Sequence, residues 1–94
     1  MSLLEPTKEE TEALKKQALD ELIEEIENDI ETKYDKLEKS YLNILKIRLY
    51  DDVLHEEYLP VGTKEHYLKE GDRLKGEIED LEAKLAKLKA HSVT

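Results

Sequence analysis

The 94-residue chain has no cysteine, no tryptophan and no phenylalanine, and only 3 glycines and 2 prolines. Without cysteine it can form neither a disulfide nor a thiolate metal site. It also lacks a glycine-rich phosphate loop, and no apolar run approaches the roughly 18 to 20 residues of a membrane span. The sequence therefore predicts a cytoplasmic protein without a membrane segment. Its core must use aliphatic side chains and the 5 tyrosines.

Charge is abundant, with 41% charged residues and a net charge of −9. Glutamate, lysine, leucine and alanine at helical spacing are typical of long helices or coiled coils. Residues 5–31 contain eleven acids against three lysines. A segment this acidic repels a phosphate backbone, so we expect no direct nucleic-acid binding.

The first predicted helix covers residues 8–59, a segment without glycine or proline. Thr7 is in position to cap its first turn, with Glu10 three residues later. A stripe of apolar residues continues along the helix to Val53, and it widens beyond Tyr41. A helix that is apolar on more than one side is usually buried by more than one neighbour.

A turn at residues 60–63 separates this helix from a second predicted helix at residues 64–90, with Thr63 as its N-cap. The second helix has apolar residues at alternating spacings of four and three, typical of a coiled-coil seam. Folding it back across a tight turn predicts facing residues whose numbers add up to about 123. The predicted hairpin seam consists of Tyr34, Leu37, Tyr41, Leu45, Leu49, Leu74, Ile78, Leu81, Leu85 and Leu88. Gly71 is expected to make room for Tyr50 or Val53.

In this register the second helix ends opposite Lys33, and the apolar residues before that point remain uncovered. This surplus predicts an oligomer interface at Leu14, Leu19, Leu22, Ile23, Ile26 and Ile30. The favoured fold is an all-α antiparallel hairpin with an extended N-terminal helix, assembled as a dimer or larger helix bundle. The alternative is a three-helix bundle with a bend near residues 28–35.

Charge is consistent with a dimer, because lysines from both helices are expected together at the open end of the hairpin. Lys33, Lys36 and Lys39 would meet Lys84, Lys87 and Lys89 there. The acidic N-terminal segment of a second chain would complement them, although a folded-back segment of the same chain would serve as well. Such surface pairs select an orientation and add little stability.

No residue pattern indicates catalysis, a cofactor or a metal site. His55 and His66 flank the turn, but exposed imidazoles there are usually solvated, and tyrosines at helical spacing are usually packing residues. The interpretation is a non-enzymatic helical adaptor or assembly protein that self-associates and binds a protein partner. The alternative is an acidic regulator that mimics nucleic acid and binds a basic groove of a nucleic-acid-handling protein.

Overall fold

The fold is an antiparallel pair of helices, and the computed structural model describes it over residues 7–58 and 63–91. Helix α1 comprises Lys8–Leu49, continues into a π-helical turn at Tyr50–Leu54, and is followed by helix α2 at Lys64–Ala90. These ranges contain no β-strand. The molecule is elongated, at 70 × 26 × 15 Å. The predicted all-α hairpin is confirmed.

The alternative of a three-helix bundle is wrong, because α1 continues without interruption through residues 28–35. Thr32 can compete with the helical backbone through its hydroxyl, which makes it a weak helix breaker in principle. In this helix the hydroxyl donates to the carbonyl oxygen of Asn28, one turn earlier, at 2.9 Å. The hydroxyl is thus satisfied within α1, which remains helical through this segment.

Both helices begin at the predicted threonine caps. The Thr7 hydroxyl oxygen accepts a hydrogen bond from the backbone N–H of Glu10 at 3.1 Å, and the Thr63 hydroxyl oxygen accepts one from His66 at 3.2 Å. Each bond satisfies one of the backbone donors left free at a helix start. The rest of the predicted turn, residues 60–62, and Leu59 before it lie outside the described residues.

The first helix ends before the predicted boundary at residue 59. Helical geometry stops at Leu54, and His55 adopts a left-handed conformation with φ 55°. The carbonyl oxygen of Tyr50 accepts hydrogen bonds from the backbone N–H groups of His55 and Glu56. Two acidic pairs, Asp51–Asp52 and Glu56–Glu57, fall at the negative end of the helix dipole, where carboxylates are unfavourable. This charge pattern disfavours extension of the helix to Leu59.

The core lies between the C-terminal half of α1 and the middle of α2. Leu37, Leu74 and Ile78 form its buried cluster, and Ile30 packs against them. A β-carbon at Gly71 would lie 3.6 Å from Leu37 Cδ1. Leu37 therefore occupies the place opposite Gly71 that the sequence assigned to Tyr50 or Val53.

The register of the hairpin differs from the predicted one. The residue numbers of contacting pairs add up to 108 for Leu37 with Gly71 and to 116 for Tyr34 with Glu82, against the expected 123. Helix α2 therefore lies closer to the N-terminus of α1 than a tight turn at residues 60–63 would allow. The early end of the first helix is the reason, because it leaves a longer connection between the helices.

Candidate interaction surface

The predicted seam residues of α2 lie on the less exposed side of that helix. Leu74 and Ile78 are buried, and Leu81, Leu85 and Leu88 are half-buried. Each follows the previous one by three or four residues, so they share one side of the helix.

The predicted seam residues of α1 are divided between two faces. Leu37 is buried, together with Ser40 and Ile44, which the sequence analysis did not assign to the seam. Four other predicted positions are exposed, with 41–60% of their surface accessible: Tyr34, Tyr41, Leu45 and Leu49. A polar serine among charged neighbours gave no signal of burial. The apolar stripe of α1 is wider than α2 can cover, and α2 covers the side that bears Ile44.

The predicted oligomer interface is also divided. Ile30 packs against the core, and Ile23, Ile26 and Leu19 are half-buried, whereas Leu14 and Leu22 are 44% and 45% exposed. The shifted register brings the end of α2 alongside the isoleucines. Helix α2 therefore partly covers most of the apolar side chains that were expected to be uncovered at the N-terminal end. More exposed apolar side chains lie at the closed end of the hairpin, where the chain passes from α1 to α2.

Polar contacts cross the seam on both sides of the hairpin. On one side the Tyr34 hydroxyl donates to Glu82 Oε1 at 3.0 Å, and Lys75 Nζ lies 5.4 Å from the ring centre of Tyr41. On the other side Lys33 Nζ lies 3.6 Å from Glu77 Oε1. The hydrogen bond and the charge of Glu82 raise the pKa of Tyr34, and the contact with Tyr41 raises the pKa of Lys75. These contacts fix which sides of the two helices adjoin.

The acidic and basic segments meet within one chain. Lys89 Nζ lies 3.8 Å from Glu27 Oε2, so the basic end of α2 lies beside the acidic part of α1. The sequence predicted that the lysines of the two helices meet at this end and that the acids come from a second chain or from a folded-back segment of the same chain. The shift in register brings Lys89 to the acids of its own chain, where the charges attract.

One apolar surface on the described chain stands out, and we call it the closed-end face. It consists of Tyr41, Leu42, Leu45 and Leu49 on α1 and Leu68 on α2, each 41–60% exposed. Leu45 and Leu49 follow Tyr41 by one and two turns, and Leu68 precedes Lys75 by two turns. Tyr41, Leu45 and Leu68 therefore lie on the side of the hairpin where Tyr41 and Lys75 meet, and Leu49 and Leu42 continue the exposed apolar surface around α1. Val53 and Leu54 extend the apolar surface into the π-helical turn and are also exposed.

An open cleft of about 560 Å³ lies at the closed end, lined by acids that include Asp51, Asp52, Glu56 and Glu57. Tyr50 and Tyr58 stack beside it with ring centres 4.5 Å apart. Of the two histidines near the turn, His55 lines this cleft, and His66 Nε2 lies 3.4 Å from Glu70 Oε2. Residues 7–58 and 63–91 contain no group of three or more side chains arranged to hold a metal ion.

Neither helix in the described part of the chain is long and apolar enough to cross a bilayer. Comparison with known protein families, with characterised proteins and with solved structures finds no match to this chain. Any inference about function therefore depends on the hairpin itself, and the closed-end face is its main candidate interaction surface.

Proposed function

We propose that this protein is a non-enzymatic helical adaptor that self-associates and presents its helices to a protein partner. The closed-end face carries the proposal. Single exposed leucines are ordinary on protein surfaces, but contiguous apolar patches usually mark an interaction site. Here four leucines and a tyrosine at the closed end are each 41–60% exposed.

The size of this face supports a dimer. Five side chains, each about half exposed, would contribute roughly 4 to 7 kcal/mol per copy on burial, an upper estimate at ~1.5 to 3 kcal/mol for a whole side chain. Two copies bury twice that amount. Association costs about 4 to 15 kcal/mol in lost freedom of motion. The gain from two copies, roughly 8 to 14 kcal/mol, is large enough to offset the cost of association.

The partner surface belongs to the N-terminal part of α1 in this proposal. Because α2 ends at Ala90, the hairpin register leaves the first turns of α1 projecting beyond it. Leu14 and Leu22 are exposed near this end. An amphipathic helix with exposed leucines can lie in an apolar groove of another protein.

Substitutions in the closed-end face test self-association. We expect light scattering to give a mass of twice 11.0 kDa for the unaltered chain, and the double variant Leu45→Lys/Leu49→Lys to be monomeric. Both side chains are exposed and lysine favours helix, so circular dichroism should show unchanged helicity. A monomeric unaltered chain at high concentration would disprove the proposal.

Leu14→Lys/Leu22→Lys is the matched control, since these leucines are nearly as exposed but lie outside the closed-end face. The control should remain dimeric. If only the control variant dissociates, the oligomer interface lies in the N-terminal half of α1, as the sequence predicted.

Salt dependence separates this proposal from the acidic-regulator alternative. Raising the salt from about 0.1 M to 1 M shortens the Debye length from ~10 Å to ~3 Å. A partner that binds the apolar side chains of α1 should remain bound at both salt concentrations. Binding of a basic groove by the acidic residues would be lost at high salt.

A further inference from the structure

Charges at the edge of the closed-end face define an orientation for a second copy. Glu38 precedes Leu45 by seven residues on α1, and Lys75 follows Leu68 by seven residues on α2. Seven residues are close to two helical turns, so each charge lies on the same side of its helix as its leucine. Glu38 and Lys75 are both exposed.

The leucine and the charged residue of each helix also lie at matching positions along the hairpin axis. Contacting residues of the hairpin have numbers that add up to between 108 and 116, and the numbers of Leu45 and Leu68, like those of Glu38 and Lys75, add up to 113. Leu45 therefore lies level with Leu68, and Glu38 lies level with Lys75. The contact between Lys75 and the ring of Tyr41 places the ammonium group at the edge of the closed-end face.

We propose that a second copy of this chain docks on the closed-end face with both hairpins pointing the same way. The proposal rests on the self-association described above. A two-fold axis parallel to the helices lays α1 of one copy over α2 of the other. Leu45 then meets Leu68 of the other copy, and Glu38 meets Lys75 of the other copy. Because the interface is symmetric, each of these pairs occurs twice.

The reverse orientation, with α1 over α1, is less favourable. Centred on Leu45, it would bring Glu38 opposite Asp52 of the other copy, and two carboxylates would repel. In the favoured orientation, Asp35 of α1 approaches Glu79 of α2 farther toward the open end. We therefore expect the two hairpins to meet at their closed ends and to diverge beyond Glu38 and Lys75.

Charge reversal tests this arrangement with a specific signature. Glu38→Lys and Lys75→Glu each convert two attractive pairs into two repulsive ones, so we expect each variant alone to dimerise roughly tenfold more weakly. An equimolar mixture of the two variants restores both attractions and should form heterodimers of the original affinity. The double variant Glu38→Lys/Lys75→Glu should likewise dimerise as the unaltered chain does.

Sedimentation velocity across a concentration series measures the affinities, and native mass spectrometry distinguishes the heterodimer by mass. Lys69→Glu is the matched control, because residue 69 is turned by about 100° around α2 from Leu68 and by about 120° from Lys75, and the affinity of this variant should not change. A dimeric chain whose two variants fail to recover on mixing would overturn this orientation while leaving self-association intact. Dimerisation that is insensitive to both reversals would also overturn it, and a monomeric unaltered chain would remove both proposals together.

Discussion

The hairpin register can be tested by the energetic coupling between Leu37 and Leu74. Leu74 has only 1% of its surface exposed and lies with Leu37 in the core cluster. Leu74→Ala removes a completely buried side chain, which typically costs 2 to 5 kcal/mol when the surroundings cannot collapse. Because only a few side chains are buried in a two-helix layer, we expect partial collapse and a loss of about 3 kcal/mol.

The double variant Leu37→Ala/Leu74→Ala should lose less than the sum of the single losses, because each alanine removes a contact that the other has already lost. Contacting residues typically couple by about 0.5 to 3 kcal/mol. The pair Leu37 and Leu85 is the control: the tight-turn register brings these two together, whereas the structure leaves them apart. Their losses should be additive within about 0.5 kcal/mol.

Urea unfolding followed by circular dichroism at 222 nm measures all five variants, at one protein concentration because dimerisation adds to apparent stability. Coupling of Leu37 with Leu85 but not with Leu74 would refute the register of the structure and would support the register expected from a tight turn. Additivity in both pairs would show that the core cluster does not form.

Two further predictions concern single sites. Gly71→Ala should stabilise the hairpin by about 0.5 to 1 kcal/mol and raise Tm by roughly 4 °C, because the new methyl group meets Leu37 at an ordinary 3.6 Å. Gly76→Ala is the control for helix propensity alone, because a β-carbon at Gly76 would have no neighbouring atom within 4 Å. If Gly71→Ala destabilises the hairpin while Gly76→Ala stabilises it, the two helices lie closer together than the 3.6 Å contact implies. Tyr34 has a pKa raised above 10.0 by its hydrogen bond to Glu82, so its contribution is complete below the unfolded pKa and is lost as pH rises through the folded value. The absorbance titration at 295 nm, taken as the difference from Tyr34→Phe, should move back toward pH 10 in Glu82→Gln, and an unchanged curve would contradict the bond.

The sequence by itself determined the elements of this protein. An uninterrupted helical stripe, threonine caps at Thr7 and Thr63, and the heptad spacing of residues 64–90 were sufficient to predict two helices in an antiparallel hairpin. These features are local, because capping and helical periodicity depend on residues a few positions apart. The acids after Tyr50 are also a local signal, and they disfavour the predicted extension of the first helix to residue 59.

Only the tertiary structure decided which face of α1 is buried and how far α2 reaches along it. The stripe of α1 is apolar over a wide arc, so several offsets of α2 satisfy the pattern nearly equally well. Close packing of Leu37 beside Gly71 and the early end of the first helix select one offset. That selection partly buries Ile23 and Ile26 and exposes Leu45 and Leu49. The spacing of apolar residues specifies that a surface of α1 must be covered. Steric fit and the length of chain between the helices determine which surface is covered and which stays exposed.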